Sequence, residues 1–555
     1  MFICIMGGVW CNERPLLVNP GSSIVYQVLE QRLRSIQASN LHTYLRYAKT
    51  GLEKESLRVN SAGHIAQTNH PQVLGSALTN PWITTDYSEA LLELITPPQA
   101  RATQALDYLL DLETFVYQRL GNELLWTNSM PCVLRGEADV RIAEYGSSNA
   151  GKMKHVYRQG LAWRYGKIMQ VIAGIHYNYS ISEDFWPVWF AMEPEGATDL
   201  RSFKDRAYIR MIRNIQRYGW LIIYLFGASP AICKSFLNGR APAEGFKAFK
   251  EFTLYEPYGT SLRMGNIGYT NTKEHDSGVK VCYNTLESYV ASLRHAISTP
   301  SAEYAKIGVK VDGEYRQLNA NILQIENEYY STVRPKQPLK GFEKPITALT
   351  RRGIGYVELR SLDINPFDPA GLTTEQMAFI EVFMHFCLLQ ESPLIDKTER
   401  EMTNANQLAV AHYGRDPQLY LNRLNSKILL SEWANELIQA MQGVAQLLDQ
   451  THNETRYTQA LNAHTILVQE PELTPSARVL TEIMAAGSFF EFANEQSQRH
   501  KSLFMNRNLP EALENDWTAL ALQSLQQQKL LETENNIAFD EFLEHYFNET
   551  LESIL

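Results

Sequence analysis

The sequence predicts an α+β protein whose mixed strand-and-helix body gives way to a largely helical C-terminal region. Segments of alternating apolar and polar residues recur between residues 51 and 362, interleaved with stretches of helical spacing. After "INPFDPAGLT" (364–373) the character changes: from Thr374 to Leu555 the chain is rich in Leu, Gln, Glu and Ala and poor in glycine. The 555 residues are 45% hydrophobic and 20% charged, an ordinary globular composition and enough chain for a large domain with an appendage.

In chain order, Val25, Val28, Leu29 and Leu33 give residues 23–50 helical spacing. Strands are predicted at 51–59, 89–96, 168–181, 321–331 and 354–362, and helices at 101–121 and 204–226. A formal charge of −10 and a pI near 5.8 leave no broad basic surface, so no nucleic-acid partner is expected. No apolar run approaches the ~20 residues a bilayer requires, so no membrane partner is expected either. The start, "MFICIMGGVWCNERPLLVNPG", lacks a basic leader and a small-x-small cleavage site, and reads as an extension or a misassigned start. Cys4, Cys11, Cys132, Cys233, Cys282 and Cys387 are scattered without a C-x-x-C pair. That usage suits free thiols in a reducing compartment, hence a cytoplasmic protein.

The chemistry begins at "GLEKESLRVN" (51–60). Strand alternation turns Glu53 and Glu55 to the face that also carries Leu57 and Val59. Two carboxylates about 4 Å apart repel by about 4 kcal/mol at an effective dielectric near 20. Either that end of the strand is wet, or positive charge sits between them. The pattern recurs. Gln170, His176, Asn178 and Ser180 share one side of "MQVIAGIHYNYSIS", and Glu358 and Arg360 share one side of "GYVELRSLDI". Glu93 sits between Leu91 and Ile95, and Gln324, Glu326, Glu328 and Tyr330 share a side of "LQIENEYYS". Taken singly, each has a bland explanation: one face of an antiparallel sheet is ordinarily wet, and Asp86 in "TTDYSEA" has turn chemistry. Together they concentrate negative charge that calls for cations. Hard divalent ions with oxygen ligands meet that need, with phosphate oxygens completing the shell and Arg360 placed to stabilise phosphoryl charge. No G-x-x-x-x-G-K-[ST], strand-following G-x-G-x-x-G or H-E-x-x-H motif occurs, so P-loop, dinucleotide and zinc-protease readings lack their signatures.

A family resemblance joins these residues. "GLEKESLRV", "HPQVLGSALTNPWITTDYSEALLELITP", "YGSSNAGKMKHVYRQGL", "GIHYNYS", "LFGASPAIC", "TSLRMGNIGYTN", "TPSAEYAKIG", "LQIENEYY" and "GYVELRSLDINPF" occur in that order. Together they resemble the proteobacterial type of glutamate–cysteine ligase over about residues 50–368. The resemblance implies a glutamine-synthetase-like catalytic domain whose antiparallel sheet forms an active-site funnel. It implies domains at 39–370 (catalytic) and 371–555 (a helical region packed on it), preceded by an extension and helix at 1–38. It also implies ATP-dependent ligation of L-glutamate, through a γ-acyl phosphate, to the amine of L-cysteine, the first step of glutathione synthesis. ATP is then a co-substrate and Mg²⁺, or Mn²⁺, the cofactor; the enzyme is expected to work as a monomer.

Carried over by motif, Glu53, Glu55, Asp86, Glu93, His176 and Glu358 are the implied metal ligands and Arg360 the implied phosphate-stabilising residue. Tyr157, Leu161, Gln170, Arg263, Tyr269 and Tyr330 are the implied substrate pocket, chiefly on the cysteine side. Arg263 suits a substrate carboxylate through its fork of donors. Glu326 and Glu328 are left out of the site, and neither Cys132 nor Cys233 has an obvious cysteine partner. The alternatives are a related ligase joining glutamate to another small amine and a non-catalytic descendant that binds nucleotide or partner proteins.

Overall fold

The computed structural model describes residues 24–267, 280–424, 426–534 and 537–551. Its centre is an antiparallel sheet built from β1 (Lys49–Val59), β2 (Ile83–Thr85), β3 (Leu91–Ile95), β4 (Leu124–Leu125) and β5 (Ile175–Ser180). Three short strands follow as a separate sheet, β6 (Ala231–Cys233), β7 (Lys247–Phe249) and β8 (Thr253–Tyr255), and then a ribbon of β9 (Lys310–Val311) and β10 (Glu314–Tyr315). The chain then returns to the main sheet with β11 (Val333–Lys336) and β12 (Tyr356–Leu362), giving the order β11-β12-β5-β1-β3-β2, with β4 paired to the end of β1.

The sheet has two unlike faces. One carries the acidic residues described below. The other buries Leu52, Ile175, Tyr177, Tyr179, Val357 and Leu359 beneath helices Ala102–Tyr117 and Thr374–Leu389. Lys54 Nζ meets Glu113 Oε1 of the first helix at 2.7 Å, and the Tyr179 hydroxyl donates to Glu381 of the second at 3.2 Å. Helix Thr374–Leu389 is apolar around most of its circumference, which explains its burial on nearly every side. Each of Phe379, Phe383 and Phe386 is fully buried and contributes about 1.5–3 kcal/mol by leaving water. The helical region is therefore part of the floor on which the sheet rests.

Several elements depart from the sequence reading. The helix expected over 23–50 stops at Ala38, where Asn40 takes a left-handed conformation at φ 56°. The 204–226 helix is two, Leu200–Tyr218 and Trp220–Phe226, joined at Gly219. The helical region contains one hairpin, β13 (Tyr420–Arg423) and β14 (Ser426–Leu429). Residues 321–331 form no strand: the buried Glu328 carboxylate accepts from Arg164 and Tyr165, each at 2.8 Å, and from the backbone N–H of Gln324 at 2.8 Å. Side-chain bonds to nearby backbone thus replace a sheet ladder, and Glu326–Glu328 turns as a 3₁₀ helix. Similarly 168–171 is a 3₁₀ turn, and the strand begins only after Gly174.

The cysteine expectation needs correction. Cys132 and Cys233 form a disulfide, their Cα atoms 5.4 Å apart across 101 residues of sequence. That separation hid the partnership, which exists because β6 lies beside the loop after β4. Cys282 and Cys387 are free thiols; Cys4 and Cys11 lie outside the described residues.

The C-terminal helices reach back to the front of the molecule. Helix Glu511–Thr533 presents Ser524 Oγ to the N–H of Ser76 (3.0 Å), Gln528 Oε1 to the Ser76 hydroxyl (2.5 Å) and Glu532 Oε1 to the N–H of Ser147 (2.9 Å). Helix Phe539–Phe547 buries Phe542 and Leu543 against Val156 and Leu318.

Two core histidines give a pH expectation. His385 and His464 lie buried with their Nδ1 atoms 2.9 and 2.7 Å from the Glu381 and Ala460 carbonyls. Burial holds both imidazoles down at a pKa of about 4, below the ordinary value near 6.5. The unfolded chain therefore takes up protons that the folded chain refuses. This contribution to stability is complete above about pH 6.5 and is lost as pH falls towards about 4. Melting temperature should fall progressively across that window, and His464→Gln should flatten part of the slope. A pH-independent melting curve would contradict this.

Candidate active site

β1 is the axis of the acidic face. Its register sets Glu53 opposite His176 of β5 and Glu55 opposite Glu93 of β3; beyond β5, Asn178 stands opposite Glu358 of β12. Because alternate side chains share a face, these groups meet. His176 Nδ1 lies 2.9 Å from Glu53 Oε2, and its Nε2 is 3.7 Å from Glu55 Oε1. Asn178 donates to Glu53 Oε1 at 2.9 Å, and Gly174 N–H donates to Glu55 Oε2 at 2.8 Å. One ligand atom from each of Glu53, Glu93 and His176 falls within a 4.8 Å cluster. Asp86 follows β2, and its charge raises the pKa of both Glu55 and Glu93.

The electrostatics divide this row. Burial pushes the Glu93 carboxyl well above the carboxylate range, and the charges of Glu53, Asp86 and Glu55 push it further. Burial, followed by Asp86 among the raising charges, also raises Glu55. At Glu53 burial works upward too, but the His176 hydrogen bond leaves the net shift downward. Glu358 is fully buried, yet Lys336 at 3.3 Å, Arg360 at 3.1 Å and His176 at 3.8 Å hold it well below its usual pKa. Its second oxygen, Oε2, has no hydrogen-bond partner. A divalent cation fits this donor set. It would engage the unpaired Glu358 oxygen, relieve the repulsion centred on Glu93, and be met by hard oxygens and one imidazole.

Arg360 sits where the β12–β5 register shifts between Leu359 and Leu362, an irregularity of the kind that re-aims a side chain. Its Nη1 donates to Glu358, while Nε is buried without a partner. Burial opposes its charge, but Glu358, Glu55 and Glu53 outweigh this and raise its pKa.

Arg263 lies against Arg360. Its Nη2 donates to the Arg360 carbonyl at 2.9 Å, its Nη1 lies 3.3 Å from Met264 Sδ, and Asp363 Oδ1 is 3.9 Å away. The Tyr330 hydroxyl reaches the same sulfur at 3.4 Å, and burial raises its pKa. The structure thus gathers Glu53, Glu55, Asp86, Glu93, His176, Glu358, Arg360, Arg263 and Tyr330. Tyr157 and the buried Leu161 belong to helix Asn149–Tyr165, next to Arg158, whose Nε donates to the Asp86 carbonyl at 2.5 Å. Gln170 is buried in the turn before β5, outside the strand face on which it was expected. Tyr269 lies outside the described residues.

Four features escaped the sequence reading. Gly174 gives Arg263 room: a Cβ there would lie 2.1 Å from Arg263 Nη2. The glycine preceding "IHYNYS" was its only signal. Asp363 binds "GASP" to "TSLR", accepting from Ala228 N–H (2.9 Å), Ser229 Oγ (2.6 Å) and Ser261 Oγ (2.8 Å). Lys336 enters through the β11–β12 pairing. Lys154, one turn before Arg158, remains exposed yet sufficiently enclosed that burial, then Arg158, lowers its pKa to about 8.

The family model described as glutamate-cysteine ligase matches residues 33–410. A glutamate–cysteine ligase of Alcanivorax borkumensis is 44% identical over 94% of this chain and 99% of its own length. One from Pseudomonas entomophila is 47% identical over 94% and 98%. A crystal structure of the Francisella tularensis glutamate–cysteine ligase in complex with AMP superposes with a TM-score of 0.85 at 35% identity, covering 91% of this chain and 98% of that one. A bifunctional glutathione synthetase from Pasteurella multocida matches at a TM-score of 0.69 and 27% identity, with 90% of this chain spanning 58% of that protein. Among the described residues no helix is long and apolar enough to cross a membrane. By sequence and by fold, this chain belongs to the glutamate–cysteine ligase family.

Proposed function

We propose that the chain joins the γ-carboxyl of L-glutamate to the amine of L-cysteine, consuming ATP and yielding γ-glutamylcysteine, ADP and phosphate. The observation that carries this reading is the convergence of Glu53, Glu55, Glu93, His176 and Glu358 beside Arg360 on one sheet face. A carboxylate does not acylate an amine until it carries a leaving group. One γ-carboxylate oxygen bonds to the terminal phosphorus of ATP as the bond to ADP breaks. The amine then attacks the carbonyl carbon of the acyl phosphate, loses a proton, and phosphate departs. Glu53, Glu55, Asp86, Glu93, His176 and Glu358 would hold Mg²⁺ or Mn²⁺, which when bound would supply positive charge for the polyphosphate oxygens.

The chain's own residues do the rest. Arg360 keeps its charge and has a buried Nε without a partner, so its planar fork has donors left for phosphoryl oxygens. Arg263, held by Gly174, Asp363 and the Arg360 carbonyl, receives a substrate carboxylate. Among the described residues, Tyr330, Tyr157, Leu161 and Gln170 would enclose a small second substrate. Residues 39–370 form the catalytic unit and 371–555 its helical support, with 1–38 ahead of them. A cytoplasmic location suits these substrates, although the Cys132–Cys233 bond is at odds with a reducing compartment.

ADP release with glutamate plus cysteine, compared with serine, alanine and a simple amine, tests the reading. Cysteine should support the fastest turnover, chelation should abolish it, and added Mg²⁺ or Mn²⁺ should restore it. Equal rates with every amine would reject cysteine as the substrate. Glu55→Ala should stay folded and lose most turnover.

A further inference from the structure

Helix Leu200–Tyr218 packs against helix Thr374–Leu389, which covers the apolar face of the sheet. Beside it lies a cavity of about 930 Å³ that shares no residue with the acid cluster. Its other walls are helix Leu286–Ser298 and the chain at 391–394, and Arg32 reaches in from helix Gln27–Ala38.

Six arginines line this cavity: Arg32, Arg201, Arg206, Arg210, Arg213 and Arg294. Arg32, Arg210 and Arg213 are buried, and Arg206 and Arg294 are exposed. Arg32 and Arg210 share the Glu195 carboxylate, and Arg210 Nη2 is left without a hydrogen-bond partner. Arg213 donates only to neutral acceptors, the Ser392 hydroxyl (3.1 Å) and the carbonyls of Asn284 (2.7 Å) and Ser392 (2.8 Å). Arg206 donates to the Glu195 carbonyl at 3.1 Å. Among the described residues, none of Arg206, Arg213 and Arg294 has a carboxylate within salt-bridge distance.

The crowding has a cost. Burial, then Arg32, lowers the Arg210 pKa to about 10, and burial, then Arg217 and Arg210, does the same at Arg213. Buried charge without a counter-ion destabilises a fold, so an anion entering here is drawn inward. The carboxylates on the walls oppose it weakly. Asp199, Glu287 and Glu391 are exposed, where water screens them, and Asp205 is occupied by the N–H of Ile354 at 2.7 Å.

The lining also selects among anions. Guanidinium forks match tetrahedral phosphate, and a phosphate monoester carries close to two charges on one small group, twice those of a carboxylate. Ile209, Leu286, Val290 and Leu394 offer an apolar wall to the rest of such a molecule. No aromatic ring lines the cavity among the described residues, so a nucleobase would find no stacking partner.

We propose that this cavity is a second, non-catalytic ligand site for a compact phosphate monoester without a nucleobase, its phosphate held by Arg206, Arg213 and Arg294.

Titration calorimetry of the full chain with glucose 6-phosphate, in chelator so that the acid cluster holds no metal, tests the assignment. One equivalent should bind, while glucose should not. Arg294→Ala and Arg206→Ala, both at exposed positions, should each weaken binding about tenfold or more without changing the melting temperature, and Arg213→Gln should weaken it at least as much. Arg360→Met, altered in the acid cluster, should bind as the unaltered protein does. No binding at about 10 mM ligand would overturn the proposal. So would tighter binding of AMP or citrate than of glucose 6-phosphate, or a loss seen in Arg360→Met and absent from Arg294→Ala and Arg206→Ala.

Discussion

Arg360→Lys lowers kcat by about 10³-fold while the glutamate KM moves by less than about threefold, the pattern of a group that acts on developing charge. The geometry explains why an ammonium cannot substitute. Arg360 Nη1 is committed to Glu358 Oε1 at 3.1 Å, leaving the other nitrogens of a planar fork for phosphoryl oxygens. A lysine would pair with Glu358 and offer no second, coplanar donor. The lesion is local, because Lys336 stays 3.3 Å from the same carboxylate and keeps Glu358 compensated. Thermal melting should therefore be nearly unchanged. Steady-state ADP release checks the prediction, and near-normal turnover in a folded Arg360→Lys protein would remove this residue from phosphoryl transfer.

Gly174→Ala is the second large effect, expected from a residue with no side chain to contribute. The added methyl would lie 2.1 Å from Arg263 Nη2 and 2.4 Å from its Cζ, so the guanidinium must leave. It has no nearby alternative seat, since the Arg360 carbonyl, Met264 Sδ and Asp363 fix its present one. Loss of a charged hydrogen-bonding partner for a substrate carboxylate should raise the KM for an amino-acid substrate about 10²-fold and leave that for ATP nearly unchanged. Gly51→Ala is the control: it lies on the adjacent strand, where a Cβ meets nothing closer than 3.7 Å, and should be tolerated. Comparable damage in both variants would show that the neighbourhood resists any methyl, whatever Arg263 does.

The acidic strands were legible because their signal is local. Glu53 and Glu55 two residues apart, or Glu358 and Arg360, announce a shared polar face wherever a strand forms, and the sheet register then joins them. Local signals failed where long-range or backbone-level facts decide. "LQIENEYYS" alternates like a strand, but Arg164, brought from another helix, draws in Glu328 and turns the segment. Gln170 sits on the correct parity for the His176 face, yet the chain turns before Gly174 and parity loses its meaning. The Cys132–Cys233 pair and the Asp363 hub each join residues about 100 or more positions apart. Nothing local in the sequence marks Lys154 and Arg158, because their placement depends on Tyr145 and Asp86 beneath them.

The reach of helix Glu511–Thr533 to Ser76 and Ser147 has a consequence for how the enzyme comes into being. Every proposed ligand precedes residue 360, yet the loop leading to Asp86 and the start of the helix bearing Lys154 are tethered by Gln528 and Glu532. A nascent chain still lacking those two residues would possess the whole reactive inventory without its final alignment. Competence would therefore arrive late in translation, and a premature stop after residue 510 would leave a polypeptide rich in carboxylates and poor in turnover.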